Sequence, residues 1–266
     1  MLVQAGLALG LLAIHAKSLT DKILSSIDTP PPYTVNGPLV SVVIPTYQEE
    51  AYIEDTLASI RNQTYEPIEI IVSDSSPEAS ALETFEICAE YGARMTTSPK
   101  KNVSCGRNIG TLSSTGDILV IMDADCIMAH DFVERLVDKL EQGAVMAHGV
   151  DIFYDTNWAL NSGTLAWAIF KPNNYTTGRG VAIRREDYFD IGGYDENIDP
   201  MLPNCREDLD LGRRVAEKWG KQSVVIDKGA WVATVYRRPF SFSLPWQHLP
   251  VWRNRGWREG QSIDML

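Results

Sequence analysis

The sequence predicts an α/β fold with a central, mostly parallel sheet flanked by helices. The first observation behind this prediction is an unbroken apolar run at residues 118–122, which is typical of a strand buried on both faces. The second is that strand patterns and helical patterns alternate along the chain, which favours parallel strands joined by right-handed crossovers. The third is that Asp123-Ala124-Asp125 directly follows the apolar run. Open α/β sheets bind their ligands at this end of a strand.

The length, composition and charge of the chain indicate which classes of protein it can belong to. The chain has 266 residues, of which 44% are hydrophobic, enough for one large domain, or one domain with appendages, around a substantial core. Its net charge of -11 argues against a protein that binds nucleic acid. The four cysteines lack the paired short spacing of zinc sites, so we interpret them as free thiols in a reducing compartment.

The first part of the predicted sheet comes from the stretch up to residue 97. A strand at 40–44, stopped by Pro45, is followed by a helix at 49–63. A second strand at 68–72 leads to a helix whose first turn Pro77 can occupy, and a weaker strand lies near 93–97. The apolar positions at helical spacing are Ile53, Leu57 and Ile60 in the first helix, and Leu82, Phe85 and Ala89 on one face of the second.

The remaining elements surround the central strand. After a loop at 100–106 we expect a helix from Arg107, then the strand at 118–122, and then a helix whose inward residues are Phe132, Leu136 and Leu140. Further on, a glycine turn precedes a short strand, and a last helix runs from residue 206 to residue 219. Its first turn holds Glu207 and Asp208, a position that the helix dipole favours even without any chemistry.

The two ends of the chain differ from the middle. We predict an apolar N-terminal helix at 1–28, a proline-rich linker at 29–38, the main domain at 39–236, and a Trp- and Arg-rich extension at 237–266. The helix either packs on the domain, or crosses a membrane as a short span, or anchors the chain in one leaflet; a signal peptide would need a basic start. Lysines after the helix would place the domain on the cytoplasmic side of the cell membrane. The extension is either a membrane-interface segment or packed over the domain.

The Asp-Ala-Asp triplet is the strongest candidate for a functional site. Asp123 and Asp125 point the same way on an extended chain, and two neighbouring carboxylates repel each other unless a cation lies between them. Mg²⁺ or Mn²⁺, bound by one or two carboxylates and by phosphate oxygens, would meet that need. The alternative is a strand that ends in an acidic turn without any function.

Six short motifs follow one another in the chain. They are Val42-Val43-Ile44-Pro45-Thr46-Tyr47-Gln48-Glu49, Asp74-Ser75-Ser76, Gly106-Arg107-Asn108-Ile109-Gly110, Asp123-Ala124-Asp125, Gly192-Gly193-Tyr194-Asp195-Glu196 and Glu207-Asp208. In this order they resemble the motifs of family 2 glycosyltransferases, which have the GT-A fold. The resemblance covers residues 39 to about 236, and it implies a Rossmann-like single domain and a nucleotide-sugar donor.

The resemblance also implies roles for single residues. Asp125 would hold a Mn²⁺ or Mg²⁺ ion, with Asp123 toward the ribose and sugar, and the ion would neutralise the leaving diphosphate. Asp208, or alternatively Glu207, would be the general base of an inverting transfer. The residues implied around the donor are Pro45, Tyr47 and Glu49 near the base and ribose, Asp74 and Arg107 in the base pocket, and Gly178, Arg179 and Gly180 where the sugar meets the acceptor.

The sequence departs from the family pattern in two places, which bear on the metal ligands and on the number of sugars transferred. Thr234 stands about where many relatives have a histidine that completes the metal site, so Asp125 and phosphates would hold the ion alone. The Gln-x-x-Arg-Trp motif of processive synthases is absent from the sequence, which favours transfer of a single sugar. The donor would be a UDP- or GDP-sugar. The acceptor would be a glycan or a lipid such as a polyprenyl or dolichyl phosphate. A nucleotidyltransferase and a non-catalytic nucleotide-sugar-binding module are the alternatives.

Overall fold

The computed structural model describes residues 14–156, 161–164, 176, 178–198 and 207–235. The predictions for residues 1–13 and for 236–266 lie outside this part of the chain. The helices are α1 (14–24), α2 (Ile53–Arg61), α3 (Glu78–Glu90), α4 (Val103–Ser113), α5 (Phe132–Glu141), α6 (Arg185–Asp190) and α7 (Glu207–Trp219), and the described residues 161–164 are also helical. The strands are β1 (Val35–Thr46), β2 (Tyr65–Asp74), β3 (Arg94–Thr97), β4 (Ile118–Ile121), β5 (Cys126–Met128), β6 (Met146–Phe153), β7 (Val181–Arg184) and β8 (Val224–Thr234).

The strands form one sheet with the order β3-β2-β1-β4-β7-β6-β8-β5. The four strands β3, β2, β1 and β4 are parallel, as predicted. The other half is mixed, because β7 runs antiparallel to both of its neighbours and β5 runs antiparallel to β8, while β6 and β8 are parallel. The prediction of a mostly parallel sheet is therefore correct for the first half only. The long stretch between β6 and β7 gave no pattern from which their direction could be predicted.

The sheet is curled, and the Asp-Ala-Asp triplet lies where it curls. Residues 122–125 separate β4 from β5, and four residues reach at most about 14 Å. Yet β5 lies at the far edge of the sheet, beside β8. The edge formed by β8 and β5 must therefore bend back toward the end of β4. Both aspartates are thus placed in a concave region.

Apolar side chains on the two faces of the sheet form two main clusters. On one face, alternate residues of β1 such as Val42 and Ile44 pack with α2 and α5. On the other face, Val43 and Ile121 pack with α7, through Leu211 and Val215 among others. The predicted inward residues of α5, namely Phe132, Leu136 and Leu140, are fully buried, as expected.

Several boundaries differ from the sequence prediction. β1 begins at Val35, inside the predicted linker, and continues through Pro45 to Thr46. The prediction that Pro45 ends the strand is therefore wrong by one residue, since Thr46 is the last residue of β1. α4 begins four residues before Arg107, because Oδ1 of Asn102 accepts a hydrogen bond from the Cys105 N–H at 2.9 Å and caps the helix.

The predicted apolar face of α3 is on the wrong side of the helix. Leu82 and Phe85 are 59% and 56% exposed, whereas Thr84 and Cys88 are buried. The buried stripe continues through Ile87, which packs on the first cluster, so it has helical spacing but is less apolar than the exposed stripe. The prediction failed because it followed hydrophobicity alone, whereas α3 turns Thr84, Ile87 and Cys88 inward.

The N-terminal segment packs on the domain over its described length. Ala16, Leu19 and Ile23 of α1 are buried against a cluster that includes Ile127 and Ile152. The turn after α1 is fixed by polar contacts: Nδ2 of Asn62 donates to the Ser26 carbonyl at 2.8 Å, and Oγ of Ser26 donates to the Met128 carbonyl at 2.5 Å. Among the described residues, no helix has the length and apolar character that a membrane crossing requires.

Candidate active site

A cavity of about 610 Å³ opens at the carboxyl ends of β1, β2 and β4. This is the edge of the sheet at which the sequence predicts the ligand site. Eight of the predicted site residues line the cavity, namely Pro45, Tyr47, Glu49, Arg107, Asp123, Asp125, Arg179 and Glu207. Asp74, Gly178, Gly180 and Asp208 are not among its described lining residues.

Asp123 and Asp125 follow β4 and face the cavity, on either side of the buried Ala124. Oδ1 of Asp123 accepts a hydrogen bond from Arg107 Nη2 at 2.8 Å. The described residues contain no group of three or more His, Cys, Asp or Glu side chains that could hold a metal ion. Two carboxylates at an open cavity still fit Mg²⁺ or Mn²⁺, because these ions often complete their coordination with phosphate oxygens.

Arg107 lies at the centre of the site although it is only 2% exposed. Its Nη1 donates to Glu207 Oε1 at 2.8 Å, while its Nη2 contacts Asp123. Burial alone would lower the pKa of Arg107, but Tyr194, Asp123 and Glu207 outweigh this and raise the pKa above its ordinary value. Arg107 is therefore a permanent cation that joins the end of β4 to the first turn of α7.

The two candidate base residues have different surroundings. Glu207 lines the cavity and holds Arg107. Asp208 is 1% exposed; its Oδ2 accepts from the Gly178 N–H at 3.1 Å, and its Oδ1 accepts from the Leu209 N–H at 2.8 Å. The two backbone donors fix the position of the Asp208 carboxylate.

The glycine turn at 178–180 fits closely between these groups. A Cβ on Gly178 would collide with the Arg107 guanidinium and would lie 3.2 Å from Asp123 Oδ1. Gly180 has a φ of +120°, and a Cβ there would lie 2.5 Å from the Phe132 ring. Between them, Nη1 of Arg179 donates to Asp151 Oδ2 at 2.6 Å, and its guanidinium lies 5.4 Å from the Phe153 ring. Only glycine allows the turn to approach Arg107 and Phe132 this closely.

The loop after β1 forms another wall of the cavity, and here the structure adds residues that the sequence did not single out. Nζ of Lys101 lies 3.8 Å from the centre of the Tyr47 ring, and Lys101 and Asn102 line the cavity. Asn102 could have been found from its position, since asparagine often caps a helix. The contact of Lys101 with Tyr47 links residues far apart in the chain and left no local pattern.

Asp74 and Thr234 are buried and are not among the described lining residues of the cavity. Asp74 is 2% exposed; its Oδ1 accepts from Thr46 Oγ1 and from Ser76 Oγ, both at 2.7 Å, so it joins the ends of β1 and β2. It does not cap α3, which begins after Pro77 without a side-chain cap. Thr234 lies at the end of β8 directly opposite Cys126, the residue that follows the Asp-Ala-Asp triplet.

The sequence is similar to those of known glycosyltransferases. An uncharacterized glycosyltransferase of Haemophilus influenzae is 30% identical over 125 residues, which are 46% of this chain and 50% of that protein. A glucosyl-dolichyl phosphate glucuronosyltransferase of Haloferax volcanii is 27% identical over 183 residues, covering 59% of this chain and 56% of that protein. The chain thus spans about half the length of each of these two relatives.

The fold has counterparts among solved structures. A mannosyltransferase of Pyrobaculum calidifontis, solved in complex with GDP-Man and Mn²⁺, aligns with a TM-score of 0.59 at 19% identity. The alignment covers 86% of this chain and 70% of that one. At this identity the likeness concerns the fold alone. The profile of the family described as Glycosyl transferase family 2 matches residues 41–194, more than half of the chain. The chain therefore belongs to glycosyl transferase family 2.

Proposed function

We propose that the protein transfers a single sugar from a UDP- or GDP-sugar to a hydroxyl or phosphate acceptor, with inversion and with the help of Mn²⁺ or Mg²⁺. The observation that carries this proposal is the grouping of Asp123, Asp125, Arg107 and Glu207 around one cavity at the ligand-binding edge of the sheet. The cavity, at about 610 Å³, is in the usual range for small-molecule sites.

The donor would lie along the cavity with its base near the loop after β1. Tyr47 and Glu49 would frame the base and ribose, and Lys101, above the Tyr47 ring, would add a positive charge near the phosphates. Asp123 and Asp125 would hold the divalent ion, which when bound neutralises charge on the leaving diphosphate. Arg179 would face the phosphates or the sugar from the opposite wall.

Asp208 is the proposed general base, with Glu207 as the alternative. An inverting transfer needs one carboxylate that accepts the proton of the acceptor hydroxyl. Glu207 is engaged in the ion pair with Arg107, and we assign it to holding that cation. Asp208 is fixed beside the glycine turn by two backbone N–H groups, and we assign it the role of the base.

The test of the donor is a calorimetric titration of UDP, GDP and their common sugars with Mn²⁺, Mg²⁺ or EDTA. One nucleotide should bind with metal and lose its affinity in EDTA, and Asp125→Ala should abolish the metal-dependent part. Asp117→Ala is the matched control, because Asp117 is exposed at the other end of the same strand. If no nucleotide binds the wild-type protein under any of these conditions, the proposal is wrong.

Turnover separates an enzyme from a binding module. Incubation with the donor that binds, together with an acceptor, should release the nucleoside diphosphate and form a glycoside of inverted configuration, detectable by mass spectrometry and NMR. Binding without release would identify a non-catalytic nucleotide-sugar-binding module, and release of pyrophosphate from a nucleotide would identify a nucleotidyltransferase.

A lipid acceptor on the cytoplasmic side of the cell membrane is part of the proposal. The relative from Haloferax volcanii is named for action on glucosyl-dolichyl phosphate, and this chain has an apolar start and a Trp- and Arg-rich end. We expect the full chain to float with anionic liposomes and a chain of residues 14–235 to remain in solution. If the full chain does not float, the membrane part of the proposal fails, while donor binding is unaffected.

A further inference from the structure

The Gly192-Gly193-Tyr194 turn contributes a residue to the site for which the proposed function gives no role. The Tyr194 ring is buried in the second core cluster, and the central carbon of the Arg107 guanidinium lies 4.8 Å from its centre. Arg107 uses its two Nη atoms for Asp123 and Glu207. Those two bonds hold the two ends of the guanidinium, and the Tyr194 ring lies against it as a third contact.

The turn itself is fixed to the helix that carries Arg107. Oδ1 of Asn108 accepts from the Tyr194 N–H at 3.0 Å, and Nδ2 of Asn108 donates to the Tyr194 carbonyl at 2.9 Å. Gly193 has a φ of +66°, and a Cβ there would lie 2.8 Å from Asn108 Oδ1. Because Asn108 is the next residue after Arg107, the ring and the guanidinium are held at a set distance.

The ring, rather than the hydroxyl, is the part of Tyr194 that acts on Arg107. The Tyr194 hydroxyl is buried and has no hydrogen-bond partner among the described residues. The negative face of an aromatic ring attracts a cation, and this attraction is stronger where water is excluded. A planar guanidinium also stacks on a ring better than an ammonium does. Rotation of the Arg107 plane would break at least one of the two bonds to carboxylates.

We propose that Tyr194 is a positioning residue for the donor site, acting through Arg107. Its ring holds the guanidinium of Arg107 in position. Asp123 then keeps its place at the cavity, and Glu207 stays bonded to Arg107. The inference rests on the proposed function, because donor binding in the presence of metal reports the position of Asp123.

The test varies the charge distribution of the ring without changing its shape. Tyr194→Phe should bind the donor nucleotide, with Mn²⁺, within about twofold of wild type, because only the unpaired hydroxyl is lost. Replacing this Phe by its mono-, di- and trifluorinated analogues should weaken the binding step by step, to about tenfold for the trifluorinated ring. The melting temperature should fall only slightly along the series, since packing is preserved and only the cation–π attraction is weakened. Calorimetry gives the dissociation constants.

Phe189 provides the matched control. Its ring also lies close to a guanidinium, 5.1 Å from the central carbon of Arg185, but Phe189 is not among the described lining residues of the cavity. The same fluorinated series at position 189 should leave donor affinity unchanged. Equal affinity across the series at position 194, or an equal loss at position 189, would overturn the inference. If the wild-type protein binds no nucleotide, the proposed function fails first, and the inference fails with it.

Discussion

At the scale of single residues, the site depends on one buried cation between carboxylates from distant parts of the chain. Arg107 is almost fully buried and holds Asp123 and Glu207. Taking a charge out of water is costly unless it is paired and hydrogen-bonded. Removing one member of a buried ion pair therefore costs about 3–5 kcal/mol of stability. Asp123, Glu207 and Arg107 therefore act as a unit. Asp208, in contrast, is held by the N–H groups of Gly178 and Leu209.

Substitution of the two carboxylates should give different kinetic defects. Glu207→Gln removes a charge from Arg107, so we expect a higher KM for the donor and a lower melting temperature. Asp208→Asn keeps the shape of the side chain but removes the proposed base, so kcat should fall about 100-fold or more while donor affinity stays near wild type. Steady-state kinetics and calorimetry on both variants measure this.

The opposite pattern would reverse the assignment. If Glu207→Gln loses kcat with unchanged donor affinity, and Asp208→Asn transfers sugar normally, Glu207 is the base. Asp210→Asn is a suitable control, because Asp210 is in the same first turn of α7 but pairs with Arg213 and Arg214.

At the scale of elements, the junction before β4 depends on a glutamate of β2. Oε1 of Glu69 accepts hydrogen bonds from Ser41 Oγ at 2.5 Å and from the N–H groups of Thr115 and Gly116. Glu69 thus links β1 and β2 to the turn that leads into β4. Burial alone would raise the pKa of Glu69, but hydrogen bonds from Ser41, Thr115 and Gly116 outweigh it, and the pKa lies below its ordinary value.

The lowered pKa of Glu69 predicts a pH-dependent stability. Because its folded-state pKa is below the unfolded one, the ionised carboxylate stabilises the fold above the ordinary glutamate pKa of about 4.3. This stabilisation is lost as the pH falls through the lower, folded-state pKa. Glu69→Gln should therefore lower the free energy of unfolding by about 1–2 kcal/mol at pH 7. The difference in unfolding free energy between variant and wild type should shrink as the pH falls below about 4.3. Urea unfolding at several pH values measures this.

A nearby glutamate provides the reference for that measurement. Glu66, in the same strand, is exposed, so Glu66→Gln should change stability little at any pH. A Glu69→Gln difference that stays constant from pH 7 to pH 3 would show that the charge of Glu69 does not contribute to stability.

At the scale of the whole molecule, the N-terminal segment is part of the domain from residue 14 onward. α1 covers the end of the sheet formed by β5 and β8, through a third core cluster that contains Ala16, Leu19 and Ile23. The segment therefore buries an apolar side chain, Ile127, of the strand that directly follows the Asp-Ala-Asp triplet.

Truncating a buried side chain of α1 should destabilise the whole domain. Ile23→Ala removes a fully buried side chain and should lower the free energy of unfolding by about 3 kcal/mol. Ile14→Ala is the control, since Ile14 is in the same helix but 68% exposed, and should have little effect. Urea unfolding compares them. Equal stability of wild type and Ile23→Ala would show that α1 is not docked in solution.

The sequence by itself determined the parallel half of the sheet, the position of the Asp-Ala-Asp triplet and the family. These features depend on residues that are close in the chain: an apolar run, a helical spacing, a motif. Most of the predicted site residues also line the cavity, because the carboxyl ends of parallel strands share one edge. Their catalytic and binding roles stay predictions.

Only the tertiary structure decided the antiparallel half of the sheet, the buried face of α3 and the contacts of Arg107. Thr84 and Cys88 are buried while Leu82 and Phe85 are exposed, although hydrophobicity alone predicts the opposite. Arg107 contacts Glu207, 100 residues away in the chain, and Tyr194 supports it from a third segment. Such contacts depend on how the sheet curls, and a local sequence pattern has no information about elements that meet only after the chain has folded.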